Sequence, residues 1–279
     1  MKRRREPLLW AGIVFLVALL LFAVFGPFLH HNATDPIGPK FQYPSANAWL
    51  GTDEIGRDIF ARLAYGARIS LFIGFTVQLV SLTLGIVVGA VGIYAPKWLA
   101  SPMLRLTDAM FAFPDILLAI LIIAVFGRGT FPVIVALAVT AWPSIARLVR
   151  SQLATLKDRE FVVASRAMGA PTAYTVIKHV LPQLWGILLA VTMVELAATI
   201  LAESTLSFLG IGVQEPTPSW GIMINTARAY MQPGAAYNGS PAMLYLVWTS
   251  LILAMTIFAL NFVGDGLRAI LDPKSSNNN

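Results

Sequence analysis

Apolar residues form six blocks along the chain, and each block is about as long as a bilayer is thick. The blocks cover about Leu8–Leu29, Ile69–Tyr94, Leu104–Phe126, Phe131–Leu148, Leu184–Leu206 and Met243–Val263. A bilayer core of about 30 Å needs about 20 apolar residues at roughly 1.5 Å rise per helical residue. The pattern therefore predicts an all-α integral membrane protein with six transmembrane helices, the third kinked at Pro114.

Composition supports a membrane protein and excludes several kinds of site. Of the 279 residues, 57% are hydrophobic and only 12% are charged, whereas soluble domains carry about 25% charged residues. The chain has no cysteine, which excludes disulfide scaffolds, thiolate metal sites and cysteine nucleophiles. The first apolar block is too long for a signal-peptide core and lacks a small-residue cleavage site, so we interpret it as a retained helix.

Lysine and arginine positions predict the orientation. With the N-terminus inside, the inner segments hold the run Lys2–Arg5 and most of the 20 basic residues. This excess is what the positive-inside rule requires of cytoplasmic segments. We therefore expect a multi-pass protein of the cell inner membrane with both termini in the cytoplasm.

The lengths of the connections between the apolar blocks predict how the chain is divided into parts. Three connections are long, two of them outside and one inside, and they cover 30–68, 149–183 and 207–242. We expect three parts: an N-terminal tail with the first helix and a periplasmic segment, a five-helix core containing a cytoplasmic loop at 150–182, and a cytoplasmic C-terminal tail. Their bounds are 1–68, 69–266 and 267–279.

The inner loop is longer than a helix hairpin needs. Arg159–Met168 is predicted to be a helix, with Phe161, Ala164, Ser165 and Met168 on one face. Gly169 then favours a left-handed helix end. Its neighbour Pro171 is suited to the first turn of a second helix.

The second helix of the inner loop has an apolar stripe of its own. The stripe consists of Tyr174, Ile177, Val180 and Leu181, and Pro182 is expected to end the helix before the fifth span. Two interpretations follow from these patterns. The pair lies on lipid as interfacial helices, or it docks in a groove of a soluble partner.

The residues of this loop resemble a known motif. Val163–Gly169 (VASRAMG), followed after nine residues by HVLP ending at Pro182, is similar to the cytoplasmic "EAA" loop of binding-protein-dependent ABC importer permeases. Four residues match that pattern: Ala164, Gly169, Leu181 and Pro182. Three depart from it: Val163 replaces the usual glutamate, Ser165 the second alanine and His179 the isoleucine. Glu160, almost one turn earlier, is the candidate to replace the glutamate.

Further segments resemble one branch of that family, the dipeptide, oligopeptide and nickel permeases of the "C" subunit type. They occur in order along the chain and are Leu50–Asp58, Tyr65–Leu71, Glu203–Gly212, Pro218–Gly221 and Asn261–Pro273. Because several segments match at the right places among six spans, the resemblance covers nearly the whole chain.

The resemblance implies a type I ABC importer permease fold and a non-catalytic membrane subunit. The implied partners are a second homologous permease, two ATP-binding cassette subunits, an extracytoplasmic binding protein and membrane lipid, with no nucleic acid. The implied cargo is a di- or oligopeptide, with nickel chelates or glutathione-like peptides as alternatives. The residues Glu160, Val163, Ala164, Ser165, Gly169, Pro171, His179, Leu181 and Pro182 would form the ATPase-coupling loop.

The motifs in the sequence indicate that another subunit supplies the energy for transport. The phosphate-binding pattern G-x-x-x-x-G-K-[ST] is absent from the sequence. We therefore expect no cofactor on this chain, with ATP and Mg on partner subunits. An ion-coupled secondary transporter is the alternative from another class, but it leaves the long inner loop unexplained. A membrane enzyme is disfavoured because no nucleophile–base constellation is present.

Carboxylates in the apolar blocks are candidate functional groups, because a charge at bilayer depth is costly and usually faces protein or water. Glu195 and Glu203 are eight positions apart, about 80° around a helix axis. For Glu195 we leave open a pathway or subunit contact and a tolerated polar site. For Glu203 a local cap or pair at the outer interface is favoured over a pathway role. Asp108 and Asp115 are interpreted as interface or packing residues.

Acidic residues in the first outer connection allow two interpretations. Asp53, Glu54 and Asp58 could hold a cation, or they could form a solvated turn or helix cap that pairs with Arg57. We favour the turn or cap. The adjacent histidines His30 and His31 lie across the membrane from His179, so we expect no metal site.

Overall fold

The computed structural model describes residues 5–231 and 240–271, and these ranges form helices without a β-sheet. The helices are α1 Arg5–Leu29, α2 Ile59–Tyr94, α3 Lys97–Met110, α4 Asp115–Phe126, α5 Thr130–Leu156, α6 Glu160–Ala167, α7 Thr172–Thr175, α8 Leu181–Phe208, α9 Trp220–Ala229 and α10 Ser240–Leu271. A π-helical turn, Val176–Val180, joins α7 to α8. The predicted C-terminal tail contributes its first residues to α10, and its part beyond residue 271 lies outside the described residues.

Five helices in the described ranges are long and apolar enough to cross a membrane: α1, α2, α5, α10 and the combined helix Thr172–Phe208. The all-α membrane fold is thus confirmed. Helix α2 begins ten residues before the predicted span, because the Asp58 carboxylate accepts a hydrogen bond from the Phe60 N–H (3.0 Å) and caps the helix. The proposed part boundary at residue 68 therefore falls inside α2.

The third predicted span is two helices and not one kinked helix. Helices α3 and α4 meet at an angle of 98° across a break of a few residues. Pro114 N-caps α4, and a proline disfavours helical geometry at the residue before it. The predicted disturbance at Pro114 is confirmed, but it is a break between two helices and not a kink within one. Helix α4 has 12 residues, about 18 Å at 1.5 Å per residue, which is shorter than a bilayer core.

Pro182 does not end the second loop helix, contrary to the prediction. A proline inside a regular α-helix lacks an N–H donor and clashes with the carbonyl four residues earlier. Here the π-helical turn lies directly before it, and the Leu181 N–H donates to the Val176 carbonyl five residues back. The wider turn accommodates the proline. The loop helix and the fifth span therefore form one helix of 37 residues, Thr172–Phe208.

Helices α2 and α5 pack with their backbones close together. A Cβ atom on Gly85 would lie 2.5 Å from Ile145 Cγ2, and one on Gly89 would lie 2.8 Å from Val149 Cβ. One turn earlier, the Ser81 hydroxyl donates to the Ala138 carbonyl (3.4 Å). Small residues four apart are typical of close helix contacts in membranes. The spacing Ser81, Gly85, Gly89 is readable in the sequence, and our sequence analysis did not use it.

Two of the four apolar clusters among the described residues connect the helices that carry the candidate sites. One joins α1, α2, α8, α9 and α10 and includes Leu19, Leu63, Leu196, Trp220 and Tyr245. The other joins α5, α6, the π-helical turn and α8, and includes Ile145, Val149, Leu153, Val162, Val180, Leu184 and Leu188. The second cluster fixes the predicted coupling loop onto the ends of two long helices.

The α2–α5 contact yields a stability prediction. Gly85→Leu should lower the free energy of unfolding by about 1–3 kcal/mol, because the added side chain overlaps Ile145 and forces the helices apart. Val87→Leu is the matched control, since Val87 lies two positions away and is exposed. Thermal unfolding of the purified protein in detergent should give a lower Tm only for Gly85→Leu. Equal Tm values for the two variants would contradict the close packing.

Candidate functional site

The inner loop has a rigid turn at Gly169. Helix α6 ends in a Schellman motif, in which the Gly169 N–H donates to the Arg166 carbonyl (2.9 Å) and the Ala170 N–H to the Ser165 carbonyl (3.2 Å). Gly169 has φ +81°, so the predicted left-handed conformation is confirmed. A Cβ atom there would meet nothing within 4 Å. The preference for glycine is therefore conformational and not steric packing.

A buried hydroxyl pair sets the angle between the two loop helices. Ser165 Oγ and Thr175 Oγ1 lie 2.9 Å apart in a buried hydrogen bond. Ser165 was predicted on one face with Phe161, Ala164 and Met168, and that placement was wrong for Ser165. Val162 is fully buried in the second apolar cluster, so its side of α6 packs against the rest of the chain. Ser165, three residues later, lies on the same side and is therefore buried as well.

The outward side of the loop carries an apolar patch. We define the loop patch as Phe161, Val163, Met168, Tyr174 and Ile177, all of which are exposed. Met168 is 82% and Ile177 67% exposed. An exposed apolar patch with a polar rim is typical of an interaction surface.

The remaining predicted loop residues are distributed around this patch. Glu160, Ala164, Gly169, Pro171 and Pro182 are exposed, and His179 and Leu181 are half-buried. Basic side chains form the rim, with Lys178 Nζ 5.2 Å from the centroid of the Tyr174 ring, and Arg159 and Arg166 also exposed. The loop therefore presents apolar side chains together with exposed charged residues, most of which are basic.

A second site lies at the break between α3 and α4. A cavity of about 270 Å³ is enclosed by this break, α5 and α8, and its lining includes Asp115, Thr140, Ser144, Glu195 and Thr199. Ser144 Oγ lies 3.4 Å from Glu195 Oε1. An isolated charge at bilayer depth costs about 2.5–3.5 kcal/mol or more, so carboxylates there usually face a pathway or a partner.

Glu203 does not share this cavity. Its carboxylate is fully buried and accepts hydrogen bonds from Ser207 (2.8 Å), Ser70 (3.1 Å) and Ser204 (3.4 Å). Ser70 belongs to α2, so the carboxylate joins α8 to α2. This burial supports the favoured local pairing of Glu203 over a pathway role, and the pairing extends to a second helix.

Buried ions connect the first outer segment to the loop after α8. Arg57 pairs with Asp53 (2.6 Å), Glu54 (2.5 Å) and Glu215 (2.8 Å), and Arg62 pairs with Glu215 (2.7 Å). Burial lowers the pKa of Arg57, but the carboxylates of Asp53 and Glu215 raise it more, so its pKa lies above the ordinary value. Burial also raises the pKa of Glu54, because desolvation penalises the charged carboxylate.

The outer acidic residues are thus a structural cluster and not a solvated turn. The predicted pairing with Arg57 is confirmed, and of the two predicted forms the structure has the helix cap, at Asp58, and not the solvated turn, since Asp53 and Asp58 are fully buried. Asp58 also accepts from His30 Nδ1 at 2.5 Å. Glu215 was missed because it lies in a proline-rich loop with no periodic signal.

Comparison with known proteins identifies the family. Residues 81–277 match the model of the binding-protein-dependent transport system inner membrane component. Residues 3–47 match the N-terminal TM domain of oligopeptide transport permease C. The first match covers more than half of the chain and includes both the loop and the cavity. The chain is a member of this permease family.

Individual relatives agree with the family match over nearly full length. The dipeptide transport system permease protein DppC of Bacillus subtilis is 38% identical over 97% of this chain and 83% of its own. The oligopeptide permease OppC of the same organism is 35% identical over 97% and 87%. The glutathione permease GsiD of Escherichia coli is 36% identical over 97% and 88%.

A solved structure supports the fold of this permease. The inward-facing MetNI methionine ABC transporter contains a chain that matches with a TM-score of 0.56 at 22% identity, covering 76% of this permease and 96% of that chain. At this identity the likeness concerns the fold alone. It confirms the predicted type I importer permease fold.

The ion cluster of the permease yields a second stability prediction. Glu215→Gln should lower the free energy of unfolding by about 1–3 kcal/mol, because Arg57 and Arg62 each lose a charged partner while remaining buried. Glu215 is itself partly exposed, which keeps the effect below that of a fully buried pair. Asp158→Asn is the control, since its pair with Lys157 is exposed. Chemical denaturation of the purified permease should separate the two variants, and equal stabilities would contradict a structural role for the cluster.

Proposed function

We propose that this permease subunit forms, with a second homologous permease, the membrane pathway of an ATP-driven importer for di- or oligopeptides. The cargo is delivered by an extracytoplasmic binding protein, and the chain itself is non-catalytic. Two relatives named for dipeptide and oligopeptide transport support the peptide cargo. Because one relative is named for glutathione transport, a glutathione-like peptide is the second candidate cargo.

The observation that carries the proposal is the exposed loop patch on a rigidly anchored helix pair. Val162 and the Ser165–Thr175 bond hold α6 and α7 onto the chain, so the patch is presented in a fixed shape. A preformed apolar surface of this kind suits a groove on a soluble partner. We assign the patch to one of two ATP-binding cassette subunits of the importer, which bind ATP and Mg.

Helix continuity gives the loop a mechanical connection to the cavity. Helix α7 passes through the π-helical turn into α8, and α8 carries Glu195 at the cavity wall. A displacement of the loop by a partner therefore moves the wall directly, without a flexible joint. This is the coupling expected of a transporter that alternates between inward-open and outward-open states.

Substitutions at Gly169 test the coupling. Gly169→Val should leave the membrane spans folded but reduce ATPase copurification and cargo-stimulated hydrolysis. A left-handed conformation costs a side chain about 1–2 kcal/mol, and more for a β-branched residue. Gly169→Asn is the matched control, because asparagine tolerates this conformation and the position has space for a side chain. Full ATPase binding and full transport by Gly169→Val would rule out the loop as the coupling element.

Cysteine labelling tests the orientation. We propose that the N- and C-termini are cytoplasmic in the inner membrane, supported by the basic residues of the inner segments. In this cysteine-free chain, Thr155→Cys should react with a membrane-impermeant thiol reagent only after the cells are opened, whereas Asn47→Cys should react in intact cells. Both positions are exposed. Labelling of Thr155→Cys from outside would overturn the topology.

A further inference from the structure

The cavity beside the α3–α4 break carries negative charge with no positive partner. It is lined by the carboxylates of Glu195 and Asp115. In the part of the chain that the structure describes, no lysine, arginine or histidine lies within ion-pair distance of either carboxylate. Asp115 has a local explanation, because it lies in the first turn of α4 near the positive end of the helix dipole. Glu195, in the middle of α8, has none.

Hydrogen bonding within the chain satisfies Glu195 only in part. Ser144 is its one hydrogen-bond donor among the described residues, at 3.4 Å. The same hydroxyl has a shorter bond to the Ala141 carbonyl (2.9 Å). Its single proton is therefore either shared between the carbonyl and the carboxylate or donated to the carbonyl alone. Thr140 likewise donates to the Leu137 carbonyl (3.1 Å). The polar wall therefore offers more acceptors than donors, with the Glu195 carboxylate as its strongest acceptor.

Thr199 supplies an independent sign of a ligand. It lies one helical turn after Glu195 and lines the same cavity. The residue is 6% exposed, and its hydroxyl has no hydrogen-bond partner among residues 5–231 and 240–271. Every other threonine and serine of the cavity lining donates to a carbonyl of its own helix. The oxygen itself is not among the buried unpaired polar atoms, so it is accessible from the cavity and available to a group that enters there.

We propose that the cavity binds the positively charged amino-terminal ammonium group of the peptide cargo during passage. This inference rests on the proposed peptide importer and specifies the residues that receive the cargo. The ammonium group donates hydrogen bonds to the Glu195 carboxylate and the Thr199 hydroxyl, and Asp115 adds to the negative potential. An ammonium has three donors and no acceptor, which complements a wall of acceptors.

The size of the cavity favours one end of a peptide over a whole peptide. Its volume is about 270 Å³, just below the range of roughly 300–1,000 Å³ that is typical of ligand pockets. A terminal residue fits, and the rest of the peptide continues toward the pathway. A metal ion is a poorer match, because no group of three histidine, aspartate or glutamate side chains suitable for a metal occurs within the described ranges.

Charge-selective labelling tests the cavity without depending on transport. Ala198 lines the cavity and is exposed in this cysteine-free chain. In the assembled complex, Ala198→Cys should react faster with a cationic methanethiosulfonate reagent than with an anionic one of similar size. Adding Glu195→Gln should remove this preference, and trialanine should protect the cysteine better than its des-amino analogue. Equal rates for both reagents, or equal protection by both peptides, would overturn the proposal.

Transport by the complete complex provides the second test. Glu195→Gln should reduce trialanine transport about tenfold, the order expected from losing one charge-assisted hydrogen bond, and Glu195→Asp should restore much of it. Asp108→Asn is the matched control, since that carboxylate is exposed on α3 and pairs with Arg147 outside the cavity. Binding of trialanine to the separate binding protein should be the same for all variants.

The outcomes separate this inference from the proposed function. If Glu195→Gln transports trialanine normally in a complex that retains cargo-stimulated ATP hydrolysis, the ammonium site is wrong and the importer stands. If the variant instead loses copurification of the second permease, Glu195 pairs with that subunit and the ammonium site is also wrong. If the wild-type complex shows no peptide-stimulated hydrolysis with any peptide tested, the proposed function itself fails.

Discussion

The bilayer leaves backbone N–H and C=O groups no water to bind, so a chain that crosses it must satisfy them within helices. This constraint explains why the described residues form long helices, and it also makes each interruption informative. Two prolines interrupt the helical pattern. At Pro114 the helix breaks and turns by 98°, whereas at Pro182 it widens into a π-helical turn and continues. Both positions adjoin a candidate site.

The two interruptions have different consequences for the molecule. The break between α3 and α4 borders a polar cavity. Such a break is possible because irregular backbone at membrane depth is tolerated where it faces protein or water. The π-helical turn keeps α7 and α8 in one helix, so that Tyr174 and Ile177 of the loop patch belong to the same helix as Glu195. We propose that the break creates space for a ligand and that the continuous helix transmits motion to the wall of that space.

Charged residues separate into two groups by their surroundings. Asp53, Arg57, Arg62 and Glu203 are buried and have partners, and they join segments that are distant in sequence. Glu195 is only partly buried and has no cation partner among the described residues. Because an unsatisfied charge in the membrane is costly, hydrogen bonding distinguishes the buried Glu203, which accepts from three serines, from Glu195, which has one long bond and is available to a cargo.

The sequence by itself determined the membrane class, the approximate positions of most spans and the left-handed turn at Gly169, because hydrophobic length and glycine conformation are local properties. The motifs of the loop and the outer segments also sufficed to indicate the family that the comparisons establish. Only the tertiary structure decided that Ser165 faces inward, that Glu203 is buried and Glu195 lines a cavity, and that Glu215 completes an ion cluster. Those outcomes depend on which helix lies opposite each side chain, and no local pattern in a single chain encodes that neighbour. The two prolines show the same limit, since the residue type predicts a disturbance of the helix but its surroundings determine whether the chain turns or continues.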